Sequence, residues 1–116
     1  ILILDYKKNI FNYLKNSRAF ISTSLWEDPG FVMIEAAAVD TFVISSDCSS
    51  GPKEFISHDG GLLFKNNNDI SLENKIYQFL NLSKNKVFDF KKNLKKRSLR
   101  FTHFQHYKTL SYYLLN

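Results

Sequence analysis

Residues 24–38 read S-L-W-E-D-P-G-F-V-M-I-E-A-A-A, with one glutamate, Glu27, just ahead of a Pro-Gly pair and a second, Glu35, eight positions on inside an apolar run. The stretch before it, A-F-I-S-T-S (19–24), has the β-branched and aromatic content of a strand. The stretch reads as a junction, with a strand ending, a loop turning and a helix starting. Asp28 is expected as the N-cap and Pro29 as the first helical residue, where a missing N–H costs nothing. The helix then runs from about Pro29 to Val39. Gly30 admits close backbone approach, and the free amides of a first turn favour an anion such as a phosphate. Glu35, flanked by Ile34, Ala36, Ala37 and Ala38, requires a donor, and a carboxylate can accept two hydroxyls at once. Two glutamates eight apart are also common, as a solvated loop acid and an acid paired with a buried base.

The same alternation continues outward. I-L-I-L (1–4) is a candidate buried strand and Asn9–Asn16 a short helix with Ile10, Phe11 and Leu14 on one side. T-F-V-I-S-S (41–46) and G-L-L-F-K (61–65) are further strands. Gly51–Ile56 is a short helix opened by Gly-Pro. Asp69–Leu82 is a longer helix, with an apolar stripe of Ile70, Leu72, Ile76, Phe79 and Leu80 and Asp69 or Ser71 as its cap. Phe88–Arg100 and Thr102–Leu115 read as helical, residues 101–116 forming a C-terminal helix. Strands alternating with helices predict an α/β domain with a parallel sheet covered on both faces. Ligands of such sheets bind beyond the carboxyl ends of the strands. The loops to watch are 22–30, 45–51 and 65–69.

The chain has 116 residues, 44% of them hydrophobic, enough for one domain with a core. It starts at Ile, not Met, and reads as a piece of a longer protein. A single cysteine, Cys48, cannot form an internal disulfide, which makes a reducing, cytoplasmic setting the default. No 18-residue apolar run predicts a membrane span. Residues 1–60 carry five Lys/Arg against eight Asp/Glu, a net of −3, whereas residues 61–116 carry eleven against three, a net of +8. The excess peaks in K-N-K-V-F-D-F-K-K-N-L-K-K-R-S-L-R (84–100). Such a strip is usually a solvated helix face, and it also suits phosphate, an anionic lipid surface or an acidic partner.

Three motifs in order, S-L-W-E-D-P-G-F-V-M-I-E-A-A-A, then V-I-S-S-D-C-S-S-G-P-K-E-F (43–55), then G-G-L-L-F-K-N-N (60–67), give the passage from about Phe11 to Asn68 its identity. It resembles the C-terminal half of a retaining GT-B glycosyltransferase of family 4 (group 1), in the branch that builds bacterial surface polysaccharides. The resemblance implies a three-layer Rossmann-like domain, the donor-binding half of a two-domain enzyme of the hexosyltransferase type. The substrates implied are a nucleotide-diphosphate sugar and a glycan or lipid-linked acceptor. Its E-x7-E motif falls on Glu27 and Glu35. Glu35 then resembles the acid that grips the ribose hydroxyls, and Glu27 the catalytic acid near the donor sugar. Gly30, Phe31 and Val32 resemble the turn whose amides meet the sugar and diphosphate. Ser24 shapes the loop, and Gly51, Pro52 and Glu54 resemble an element that is structural around the cleft. No cofactor and no metal are implied. The family's basic pair and its acceptor-binding N-terminal domain are expected ahead of residue 1, so this chain alone is expected to bind nucleotide sugar weakly and transfer nothing. The alternative is a non-catalytic Rossmann-like binding module.

Asp40 and Phe42 depart from the resemblance, standing where Gly and Pro are usual, and Asp5 stands where Gly follows the first strand. Outside the motifs, His103 and His106 form H-F-Q-H without a third ligand nearby in sequence, so a surface or packing role is expected. His58 reads as a loop residue and Cys48 as no nucleophile. Trp26 either stacks on a sugar or covers the loop, and Asp47 is expected to cap the helix at Gly51. The strip 84–100 is assigned a peripheral contact with the inner face of a membrane as one use, and nucleic acid is not expected as a partner.

Overall fold

The computed structural model describes residues 2–115, and an α/β architecture is built on its three parallel strands. The elements are α1 (Phe11–Asn16), β1 (Ala19–Ser22), α2 (Phe31–Ala38), β2 (Phe42–Ser46), α3 (Gly51–Ile56), β3 (Leu62–Phe64), α4 (Asp69–Leu80), α5 (Lys84–Ser98) and α6 (His103–Leu115). A 3-10 turn at Leu99–Phe101 separates the last two. The strand order is β1-β2-β3. Ala19 pairs with Phe42 and Ser22 with Ser45, while Ile44 pairs with Leu62 and Ser46 with Phe64. All five residues of β2 are buried, as a central parallel strand covered on both faces must be.

Alternation along β2 divides the interior into two cores. Val43 points into one with Leu14 of α1, Met33, Ile34, Ala36 and Ala37 of α2, Phe55 and Ile56 of α3 and Leu94 of α5. Phe42 and Ile44 point into the other with Leu62, Phe64 and Phe90, against Leu72, Ile76 and Phe79 of α4. Helix α5 therefore feeds both cores, through Leu94 on one side and Phe90 on the other. In the second core the Phe42 ring lies 4.6 Å from that of Phe79 and 5.9 Å from that of Phe90.

Several expectations are corrected. Residues 2–4 form no strand, and Leu2 and Ile3 are 79% and 89% exposed. An extended segment needs a neighbour for its N–H and C=O groups, and this one has none among the described residues. Ile1 lies outside the described residues. Helix α1 begins at Phe11, whose N–H donates to Asn9 Oδ1 at 3.1 Å, and Phe11 itself is exposed rather than packed. Helix α4 is capped by Asn68, which accepts from Ser71 N at 2.7 Å, not by Asp69 or Ser71. The Ser71 hydroxyl is used elsewhere, accepting from Lys65 N at 2.9 Å. Helix α5 starts four residues earlier than Phe88, because Ser83 caps it by accepting from Lys86 N.

Two of the three departures from the resemblance, Asp40 and Phe42, have physical roles here. Asp40 closes the turn after α2 with φ 65°, the left-handed conformation a glycine adopts without penalty. Its carboxylate accepts from Lys95 Nζ at 2.9 Å in a half-exposed ion pair. Phe42, 1% exposed, is the aromatic anchor of the second core. Truncation there removes three-ring packing and leaves a void. Phe42→Ala is expected to lower the unfolding free energy by about 3–5 kcal/mol in urea titration. Asp40→Gly relieves the left-handed backbone and forfeits a surface ion pair worth little. It is expected to raise stability by about 0.5 kcal/mol, whereas β-branched Asp40→Val lowers it by about 1–2 kcal/mol.

Candidate donor-binding crevice at the strand ends

The three loops beyond the carboxyl ends of β1, β2 and β3 are tied into one edge. Ser46 Oγ donates to Ser24 O at 2.5 Å, joining the end of β2 to the β1 loop. Asp47 N donates to Phe64 O at 2.8 Å, and Asn66 N donates back to Asp47 Oδ1 at 2.7 Å. The Asn66 amide then donates to Leu25 O at 3.0 Å, closing the ring of loops. Its own Oδ1 is buried without a partner among the described residues. Asp47 thus joins the β3 loop rather than capping α3, with its other oxygen 4.0 Å from Lys53 Nζ. Asn66 was not singled out by sequence. The available signal was a polar K-N-N-N run directly after a strand.

Inside this frame Glu27 is held in place. Ser22 Oγ donates to Ser24 Oγ at 3.3 Å, and Ser24 Oγ donates to Glu27 Oε1 at 2.7 Å. The Glu27 backbone also makes an isolated parallel bridge with Ser50. Gly30 follows with φ 81° and ψ 66°, conformations that favour glycine, and a Cβ built on it would stand 3.5 Å from Glu27 Oε2. Gly51 lies so close to the loop that a Cβ there would stand 2.4 Å from Pro29 O. Pro52 is buried beside it. Glu54, by contrast, is exposed.

The start of α2 differs from expectation. Gly30 is the N-cap, Phe31 the first helical residue, and no side chain caps the helix. Asp28 and Pro29, joined by a cis peptide, remain in the loop. A left-handed residue cannot lie inside a right-handed helix, so Gly30 sets the boundary beyond Pro29. Met33 N and Ile34 N both donate to Gly30 O, at 3.1 and 3.3 Å. The amides of Phe31 and Val32 have no acceptor among the described residues, and both side chains are exposed.

The carboxylate of half-buried Glu35 has no hydrogen-bond or ion-pair partner among the described residues. It opens with Val32 and Tyr13 into a hollow of about 550 Å³, whose other wall is the segment Leu4–Lys8 with Ile10 and Phe11. The structure thus gathers Ser24, Glu27 and Gly30 at the loop, with Gly51 packed against it. Val32 and Glu35 share the hollow. Glu54 belongs to a smaller cavity of about 190 Å³ on the α3 side, lined also by Asp28, Pro29, Arg97, Arg100 and Phe101. Trp26 is exposed. His103 and His106 lie on exposed turns of α6, and among the described residues no cluster of three His, Cys, Asp or Glu could hold a metal ion. No helix of the described residues is long and apolar enough to cross a membrane.

Arg97, read in the sequence as part of a charged strip, anchors the α3 side of this edge. It donates to Phe55 O at 3.1 Å and Ile56 O at 2.6 Å, capping the end of α3, and pairs with Asp59. Its place seven positions after Phe90 and three after Leu94 puts it on the inner arc of α5, a signal that the charge count hid. The Arg97 guanidinium holds the Asp59 carboxyl below its ordinary 3.8. A depressed carboxyl stabilises the fold fully above its unfolded value and ceases to do so as pH falls through its folded value. The stability difference between this chain and Asp59→Asn is therefore expected to be constant near neutral pH and to shrink below about pH 3.8. Urea midpoints measured against pH test this, and a difference that stays flat down to pH 2 would show that Arg97 leaves Asp59 unperturbed.

The family model for glycosyl transferases group 1 matches residues 1–98. Over 56 residues, 48% of this chain, the sequence is 41% identical to an uncharacterized glycosyltransferase of Methanocaldococcus jannaschii, spanning 14% of that protein. The crystal structure of a glycosyltransferase from Rickettsia africae superposes with a TM-score of 0.72 at 23% identity, covering 81% of this chain and 25% of that one. The crystal structure of TarM gives a TM-score of 0.73 at 24% identity, covering 94% of this chain and 22% of that one. The chain spans a quarter or less of the length of each of these relatives.

Proposed function

Because the chain belongs to the glycosyl transferases group 1 family, we propose that it is the donor-binding half of a retaining enzyme that moves a sugar from a nucleotide-diphosphate donor to a glycan or lipid-linked acceptor, in surface polysaccharide synthesis. The observation that carries this reading is Glu35. A half-buried carboxylate with no partner among the described residues, facing a hollow of about 550 Å³, is an acceptor pair suited to two donors. The two adjacent hydroxyls of a ribose are such donors.

The remaining parts order themselves from that anchor. With the ribose on Glu35, the diphosphate runs back toward the N-terminus of α2, where the amides of Phe31 and Val32 are free and the helix dipole favours negative charge. The donor sugar then lies toward Glu27, whose Oε1 is fixed by Ser24 while Oε2 faces Gly30. In the reaction the bond from the anomeric carbon to the diphosphate oxygen breaks, and its electron pair leaves with the diphosphate. The acceptor hydroxyl bonds to the same face of that carbon, and its proton passes to the oxygen of the departing diphosphate. The protein contributes position and stabilisation of departing charge. No metal enters this scheme. The acceptor site and further positive charge belong to a partner domain, and the isolated chain transfers nothing.

Titration of the chain with UDP, GDP and ADP, followed by NMR, tests the donor site. Shifts confined to residues 27–35 for one nucleotide are expected, with Glu35→Ala weakening binding by about 10-fold to 100-fold. Equal affinity in the variant would remove Glu35 from the site, and absence of shifts at millimolar nucleotide would overturn the reading for this chain.

A further inference from the structure

Helix α5 buries one arc and leaves the other bare. Phe90, Leu94 and Ser98 are buried, and Val87, Asn93 and Arg97 lie half-buried on the same side. At 100° per residue the opposite arc carries Phe88, Lys92, Lys95, Lys96 and Leu99, with Lys91 at its margin. Phe88 and Leu99 are 65% and 60% exposed. These six side chains line a shallow hollow of about 610 Å³. One carboxylate lines it, Asp40, engaged by Lys95 at 2.9 Å. Asp89, exposed and without an ion pair among the described residues, stands outside the lining at the margin of the arc. Lys92 and Lys96 have no partner among the described residues.

We propose that this outward face of α5 docks on an anionic lipid surface. Its composition is that of an interfacial helix, with apolar side chains at both ends of a lysine ladder and four lysines against a single unpaired acid, Asp89, at its margin. The lysine stems can lie along the apolar hollow while the ammonium groups reach lipid phosphates. The charge-carriers of the hollow are all lysines, hydrated point charges that suit a diffuse negative surface, whereas of the two nearby guanidiniums that could read planar groups Arg97 is spent on α3 and Arg100 lines the cavity beside Glu54. This favours lipid over nucleic acid. The inference stands apart from the donor site, because none of its residues touches the crevice.

Co-sedimentation with vesicles tests it, using phosphatidylcholine alone and phosphatidylcholine mixed with phosphatidylglycerol. Binding is expected to the anionic vesicles only, and to weaken as salt is raised. Lys92→Gln with Lys96→Gln is expected to reduce partitioning by about 25-fold, at roughly fivefold per lysine. Phe88→Ser with Leu99→Ser should weaken it at unchanged charge. All four positions are exposed, and circular dichroism checks that each variant folds. The proposal is overturned by failure to bind anionic vesicles at low salt, by unchanged binding of the lysine pair variant, or by a single-stranded oligonucleotide that outcompetes the vesicles while the apolar pair variant binds normally.

Discussion

The site depends on one close approach, the carbonyl of Pro29 against the α-carbon of Gly51, where any Cβ would stand 2.4 Å from the oxygen. That approach lets the backbone at Glu27 bridge to Ser50, five positions beyond the last pair of the β1–β2 ladder on each strand. The loop after β1 is thereby pinned to the start of α3 at one end, while Ser46 holds it at Ser24. Between the two pins the chain must turn sharply enough to launch α2, and Gly30 supplies the left-handed step. Glu27 is then positioned by backbone on one side and by Ser24 on the other. Its orientation follows from the fold and requires no ligand.

Glu35 is positioned by a different logic. Its helix is nearly all apolar, and Met33, Ile34, Ala36 and Ala37 are buried in the first core. Those neighbours fix the rotation of α2, and the remaining arc carries Glu35 and Val32 toward the hollow. The small side chains of Ala36 and Ala37 let α2 lie close to β2, which brings the helix start near the strand ends. Glu35 is thus held by the packing of residues that do not line the hollow.

Much of this was legible in sequence because the signals were local. The strand–loop–helix junction at 19–38, the burial of β2 and the Gly-Pro opening of α3 each rest on residues adjacent in the chain. What sequence missed was decided by tertiary contact. Residues 2–4 have strand composition, yet composition does not supply a hydrogen-bonding neighbour. Asp28 and Pro29 form a good helix start in isolation, but the pins at Ser24 and Gly51 place the turn at Gly30 instead. Arg97 was lost in a charge count, although its helical phase placed it with Phe90 and Leu94.

The departures at Asp40 and Phe42 show how a family pattern can shift while its geometry is retained. The turn between α2 and β2 still uses a left-handed residue, now an aspartate whose penalty is moderate for its type and partly offset by Lys95. Thr41, next in line, donates from Oγ1 to Leu14 O at 2.7 Å and so ties the same turn to α1. Phe42 then enters the sheet with an N–H that a proline would lack, and its ring meets Phe79 and Phe90. Both replacements recruit helices that follow the sheet in sequence. Lys95 and Phe90 sit on opposite arcs of α5, so Phe42 fixes that helix from its buried side while Asp40 meets it on the lysine face, in an exposed pair that adds little.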